Sequence, residues 1–141
     1  MERIIGKRVA IDTMLMIYLL EGHPRYTEII AEIFEDAASI VCSAFLFGEL
    51  FTGFYKRGDQ KTVDMILGYI EDSENVEIRP FDYATSLVFA KIRGAHPAYS
   101  SPDSIHLATA LQAEADVFIT NDKKLKTISG LKVLNLDELI S

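Results

Sequence analysis

The sequence holds a single cysteine, Cys42, so no internal disulfide can form and a reducing compartment is expected. Set in the apolar run Ile40-Val41-Cys42, that thiol reads as buried filler rather than a reactive group. No apolar run approaches the roughly 18 residues needed to span a bilayer. The opening segment Met1–Arg8 also lacks the apolar core of a signal peptide, so a cytoplasmic location is expected and no membrane association. There is no Pro/Gly/Ser-rich tract to separate two units, and no internal repeat or low-complexity stretch. With 141 residues and 49% hydrophobic content, residues 1–141 are expected to form one domain around one core. Basic residues are outnumbered, 14 against 21, for a formal charge of -7. That balance argues against a broad basic surface gripping nucleic acid, because such binding relies on lysine and arginine displacing counterions. It leaves open a cleft in which carboxylates carry divalent cations, where the ions set the field seen by a phosphate. Acidity also suits a basic protein partner.

Short apolar strands alternate with helix-length stripes. Arg8–Asp12, Ser39–Ser43, Val76–Arg79 and Val117–Thr120 read as strands, with Lys132–Leu136 as a fifth and Asp137–Ile140 as a final turn. The first helix runs through Leu15, Tyr18 and Leu19 and stops at Gly22 and Pro24. A second is striped by Ile29, Ile30, Ile33, Phe34 and Ala37. Ser43 is placed to cap a third, which ends near Gly58, and Asp59 to cap a fourth, striped by Val63, Ile66, Leu67 and Ile70. Asp82–Gly94 is a fifth. The sixth is expected to take Ser101 as its N-cap and Pro102 as its first residue. The alternation argues for an α/β fold with a mainly parallel sheet covered on both faces.

Four acidic residues stand out against this pattern. Asp12 closes the run Val9-Ala10-Ile11 and Asp122 lies two residues past Val117-Phe118-Ile119-Thr120, so both fall at the carboxyl ends of strands, where open α/β sheets bind ligands. Asp103 opens the sixth helix. Glu49 is the only charged residue between Asp36 and Lys56, among Phe45, Leu46, Phe47, Leu50, Phe51 and Phe54, and a carboxylate buried there needs a partner. Each aspartate also has a structural reading. Asp12 can cap the helix starting at Thr13, Asp122 can cap a turn through Lys123–Leu125, and Asp103 is favoured by the dipole of its helix by roughly 0.3–1 kcal/mol.

If the four converge to about 5 Å, each pair repels by roughly 3 kcal/mol at an effective dielectric of about 20, so such a cluster needs cations. An all-oxygen donor set favours magnesium or manganese over zinc, and magnesium commonly completes its shell with water and substrate phosphate. Other phosphate sites do not fit. Met14 stands where a haloacid-dehalogenase-type phosphatase needs its second aspartate. A receiver domain would want adjacent acidic residues after the first strand, and no glycine-rich Walker-type loop is present.

The chain resembles the PIN-domain ribonucleases, most closely the VapC-type toxins of toxin–antitoxin pairs. The resemblance is carried by Ile11-Asp12-Thr13 with Ile17–Glu21, Gly48-Glu49-Leu50 with Gly53, Pro102–Ala110, and Thr120-Asn121-Asp122-Lys123-Lys124-Leu125. It implies a PIN-like three-layer α/β/α sandwich with four to five short strands. It also implies that Asp12, Glu49, Asp103 and Asp122 form the acidic Mg2+- or Mn2+-binding quartet, with Thr120 as a supporting hydroxyl. Glu49 is left as either a ligand or the base for the attacking water. Further implications are RNA as substrate, products with 5′-phosphate and 3′-hydroxyl ends, a homodimer, and a cognate antitoxin partner. Met14 departs from the small polar residue many relatives carry there. His106, one turn after Asp103, either orients it or is simply a surface or packed residue. Lys123, Lys124 and Lys126 either approach a phosphate backbone or form a solvated turn. Two rival readings are a PIN-domain RNA-processing nuclease outside a toxin pair and a non-catalytic PIN-like RNA- or protein-binding module.

Overall fold

A computed structural model describes residues 1–140. Its core is a five-stranded sheet, all neighbours parallel, in the order β3-β2-β1-β4-β5. The strands are β1 (Arg8–Ile11), β2 (Ser39–Ser43), β3 (Val76–Arg79), β4 (Val117–Thr120) and β5 (Lys132–Asn135). Between them lie α1 (Thr13–Glu21), α2 (Thr27–Asp36), α3 (Ala44–Lys56), α4 (Gln60–Asp72), α5 (Tyr83–Ala95) and α6 (Ser101–Gln112), and a 3-10 turn, Leu136–Leu139, follows β5.

The period of two along each strand divides the core. Val9, Ile11, Ile40, Cys42, Val117 and Ile119 point to one face and pack with Leu15, Ile30, Ile33, Leu46, Leu50, Val63 and Ile66 of α1–α4. Ala10, Val41 and Phe118 point to the other and pack with Ile92 of α5 and Leu107, Ala108 and Ala110 of α6. Helices on both faces of the sheet make the expected three-layer α/β/α sandwich.

Local signals account for most element ends. Gly22 closes α1 in the left-handed conformation at φ 67°, which costs a residue without Cβ little. Ser43 Oγ accepts the Leu46 N–H at 3.0 Å, and Asp59 and Asp82 likewise cap α4 and α5. Three expectations shift. Ser100, not Ser101, caps α6, with its Oγ accepting the Asp103 N–H at 3.1 Å. Pro102 then falls one position deeper in the first turn, where its missing N–H is again not needed. β5 stops at Asn135 because that side chain caps the following turn. Leu67 is 47% exposed, since Val63, Ile66 and Ile70 already form the inward stripe of α4.

Candidate active site

The order of the sheet reverses at β1, which has β2 and β3 on one side and β4 and β5 on the other. Chain segments leaving two such neighbouring strands diverge, which opens a crevice at their carboxyl ends. Asp12 follows β1 directly, and Asp122 lies two residues past β4. Glu49 comes from the middle of α3 and Asp103 from the first turn of α6. All four line one cavity of about 380 Å3, together with Thr13, Met14, Tyr18, His106 and Asn121.

Asp12 is 7% exposed and occupies the N-cap position of α1, yet makes no side-chain capping bond. Its Oδ2 instead accepts a hydrogen bond from Thr120 Oγ1, and its Oδ1 is buried with no partner. Burial pushes the Asp12 carboxyl above the ordinary aspartate range, against the pull of the Thr120 hydroxyl. Thr120 is fully buried and also accepts the backbone N–H of Asp122 at 3.0 Å, so one hydroxyl links the two loops. Asp122 Oδ1 accepts the Lys124 N–H at 2.9 Å, so this residue holds its own turn as well as lining the cleft. Asp103 likewise sits in the first turn of α6, where the helix dipole favours an anion, and also lines the cleft.

Glu49 was expected among apolar neighbours, but its side chain is 32% exposed because this position of α3 faces the cleft. Oε1 accepts from Thr13 Oγ1 at 2.7 Å and lies 3.0 Å from His106 Nε2. Those two hydrogen bonds, the histidine's foremost, hold the Glu49 carboxyl below its ordinary range despite partial burial. His106 is buried and packed; it turns to Glu49, Thr13 and Ser43, and none of its hydrogen bonds is to Asp103. Sequence reasoning missed Thr13 and the Asn121–Tyr18 pair, in which the amide donates to the phenol oxygen at 2.9 Å. Their polarity was legible; their partners, far away in the chain, were not. Lys123, Lys124 and Lys126 are exposed.

The donor set suits a hard dication. Every carboxylate in the cleft offers oxygen, and the orphaned Oδ1 of Asp12 is a buried acceptor whose unmet demand a cation would satisfy. Among the described residues, no three His, Cys, Asp or Glu side chains are drawn together into a closed ligand group. Among the described residues, no helix is long and apolar enough to cross a membrane.

The sequence model of the PIN domain family matches residues 9–131. No curated protein matches the chain in sequence. Among solved structures, the chain is similar to the VapBC2 complex of Rickettsia felis bound to a promoter DNA fragment, at 20% identity and a TM-score of 0.69, covering 90% of this chain and 97% of that one. It is similar to a toxin–antitoxin complex from Klebsiella pneumoniae at 21% identity and a TM-score of 0.70, covering 91% and 97%. FitAcB from Neisseria gonorrhoeae gives 21% identity and a TM-score of 0.67, with the same two coverages. At these identities the likeness shows a shared fold. The family match runs from β1 through β4 and includes every residue of the cleft, and on that ground the chain belongs to the PIN domain family.

Proposed function

We propose that this protein is a Mg2+- or Mn2+-dependent endoribonuclease and the toxin of a cytoplasmic toxin–antitoxin pair. The observation that carries the reading is a single cleft lined by Asp12, Glu49, Asp103 and Asp122 in which Asp12 presents a buried oxygen with no partner. Membership of the PIN family supports nuclease chemistry, and the VapBC and FitAB neighbours support the toxin role and a cognate antitoxin. A homodimer is part of the same reading.

Asp12, Asp103 and Asp122 would hold the cation, with Thr120 ordering Asp12 and the Asp122 loop. A bound dication would lower the pKa of a coordinated water and polarise the phosphoryl oxygen, making in-line hydrolysis feasible near neutral pH. Glu49 would act as a further ligand or would accept the proton of the attacking water. Met14, Ile17 and Tyr18 line the same cavity and offer apolar and aromatic surface beside the carboxylates, suited to the sugar and base of a single strand. Sequencing the 5′ ends of RNA fragments formed on expression tests the proposal. Discrete new 5′-phosphate ends, absent with Asp103→Asn, are expected; identical fragments from both proteins would reject it.

One observation favours a second reading, a non-catalytic PIN-like module: the carboxylates do not form a closed ligand group. Such a module has no need to bind a dication at Asp12.

A further inference from the structure

Both ring nitrogens of His106, a residue only 4% exposed, have polar partners. Nδ1 lies 2.8 Å from Ser43 Oγ. Nε2 lies 3.0 Å from Glu49 Oε1 and 3.2 Å from Thr13 Oγ1. The hydrogens can be placed by elimination. Glu49 as a carboxylate only accepts, so Nε2 must carry a hydrogen. In the neutral ring Nδ1 is then the acceptor, and Ser43, whose Oγ accepts the Leu46 N–H as the cap of α3, still has its own hydroxyl hydrogen to donate to it. Thr13 donates its hydroxyl hydrogen to the same Oε1 at 2.7 Å.

We infer that His106 is a positioning residue: Ser43 fixes its Nε2–H tautomer, and that N–H, together with the Thr13 hydroxyl, pins Glu49 through Oε1 so that only Oε2 remains for the chemistry of the cleft. Glu49 then engages a cation or a water through one oxygen and does not chelate with both. The arrangement joins local structure to function, because the serine that caps α3 also orients the histidine of α6 that holds a carboxylate of α3. A carboxylate fixed in advance keeps no rotameric freedom to lose when substrate arrives, the usual contribution of a residue that supports a ligand from behind.

The activity arm of the test rests on the proposed function, and the spectroscopic arm does not. The His106 ring is read by long-range 1H–15N NMR in the wild type and in Ser43→Ala. RNA cleavage kinetics and Mn2+ calorimetry are measured for His106→Gln and His106→Asn, with folding followed by circular dichroism. A glutamine amide reaches the place of Nε2 and keeps the donor, whereas an asparagine amide reaches only that of Nδ1. The expected spectrum is an Nε2–H tautomer in the wild type that becomes mixed in Ser43→Ala. His106→Gln should stay within about threefold of the wild type, and His106→Asn should lose roughly 10–100-fold in kcat with KM little changed. An Nδ1–H tautomer in the wild type, or folded His106→Gln and His106→Asn proteins with equal activity, would overturn the inference. If His106→Gln fails to fold, the tautomer and its response to Ser43→Ala decide. If the wild type neither cleaves RNA nor binds Mn2+, the proposed function fails, and the spectrum still judges the role of His106.

Discussion

Thr120 donates its hydroxyl hydrogen to Asp12 Oδ2 although 108 positions separate the two in the chain. The contact follows from the sheet: β1 and β4 are parallel neighbours with Ile11 opposite Ile119, so the next residue of each strand meets at the mouth of the crevice. Replacing Thr120 with Val keeps the shape and removes the donor. Activity should fall roughly 10–100-fold, as is usual when a residue behind a metal ligand is lost. The acidic limb of the pH–rate profile should also move to higher pH, since the Thr120 bond is what opposes the upward push of burial on Asp12. Wild-type kinetics in the valine variant would contradict this role.

Asp12 should be functionally necessary and structurally costly. Its folded pKa lies above the ordinary value, so the native chain binds more protons than the unfolded chain in the window between the two. Stability contributed by this group therefore falls as pH rises from about 3.9 through the raised value. Burial therefore disfavours the ionised form of this carboxyl in the metal-free protein. Asp12→Asn should abolish cleavage while raising the Tm of metal-free protein by roughly 3–5 °C, a gain that shrinks toward acid pH. Scanning calorimetry in chelator checks it, and a variant less stable than the wild type near neutral pH would refute it.

Glu49 should behave oppositely. Its folded pKa is lowered by His106 and Thr13, so its contribution to stability is present above the ordinary glutamate pKa and is lost as pH falls through the lowered value. The group is about a third exposed, and solvent screening keeps the effect small. Glu49→Gln should therefore narrow its stability difference from the wild type as pH is lowered through that window. A difference independent of pH would count against the assigned hydrogen bonds.

Dication binding should stabilise the fold by mass action. At a concentration one hundred times Kd the gain is about 2.7 kcal/mol, and chelator should reverse it. Thermal unfolding with and without Mg2+ or Mn2+ measures this. An unchanged Tm across the titration would contradict a metal site.

Cys42 should be inert in the native protein. It is 1% exposed, and burial pushes its thiol pKa up to about 12. Iodoacetamide should label the unfolded chain and leave the folded one unmodified; rapid native labelling would contradict the packing of β2.

Much of this architecture was legible because its signals are local. Ser39–Ser43, Val76–Arg79 and Val117–Thr120 are strands with the bounds their apolar runs suggest, and Gly22, Ser43, Asp59 and Asp82 end or cap the helices beside them. The cap of α6 was displaced by one residue because Ser100 and Ser101 are chemically equivalent in sequence and only backbone geometry separates them. The placement of Asp12, Asp103, Asp122 and Glu49 around one cleft follows from strand order, and the sequence hinted at it through carboxylates at strand ends. The turn of His106 toward Glu49 rather than Asp103 was not legible. A spacing of three on α6 puts His106 near Asp103, but the pairing is decided by how α6 packs against Ser43 and α3.

The claim that the acidic cleft is a dication site is tested most directly by isothermal titration of Mn2+ into the wild-type protein and into Asp12→Asn. Saturable binding by the wild type, lost or weakened at least about tenfold in the variant, is the predicted result. Equal binding by both proteins, or none by the wild type, would contradict it.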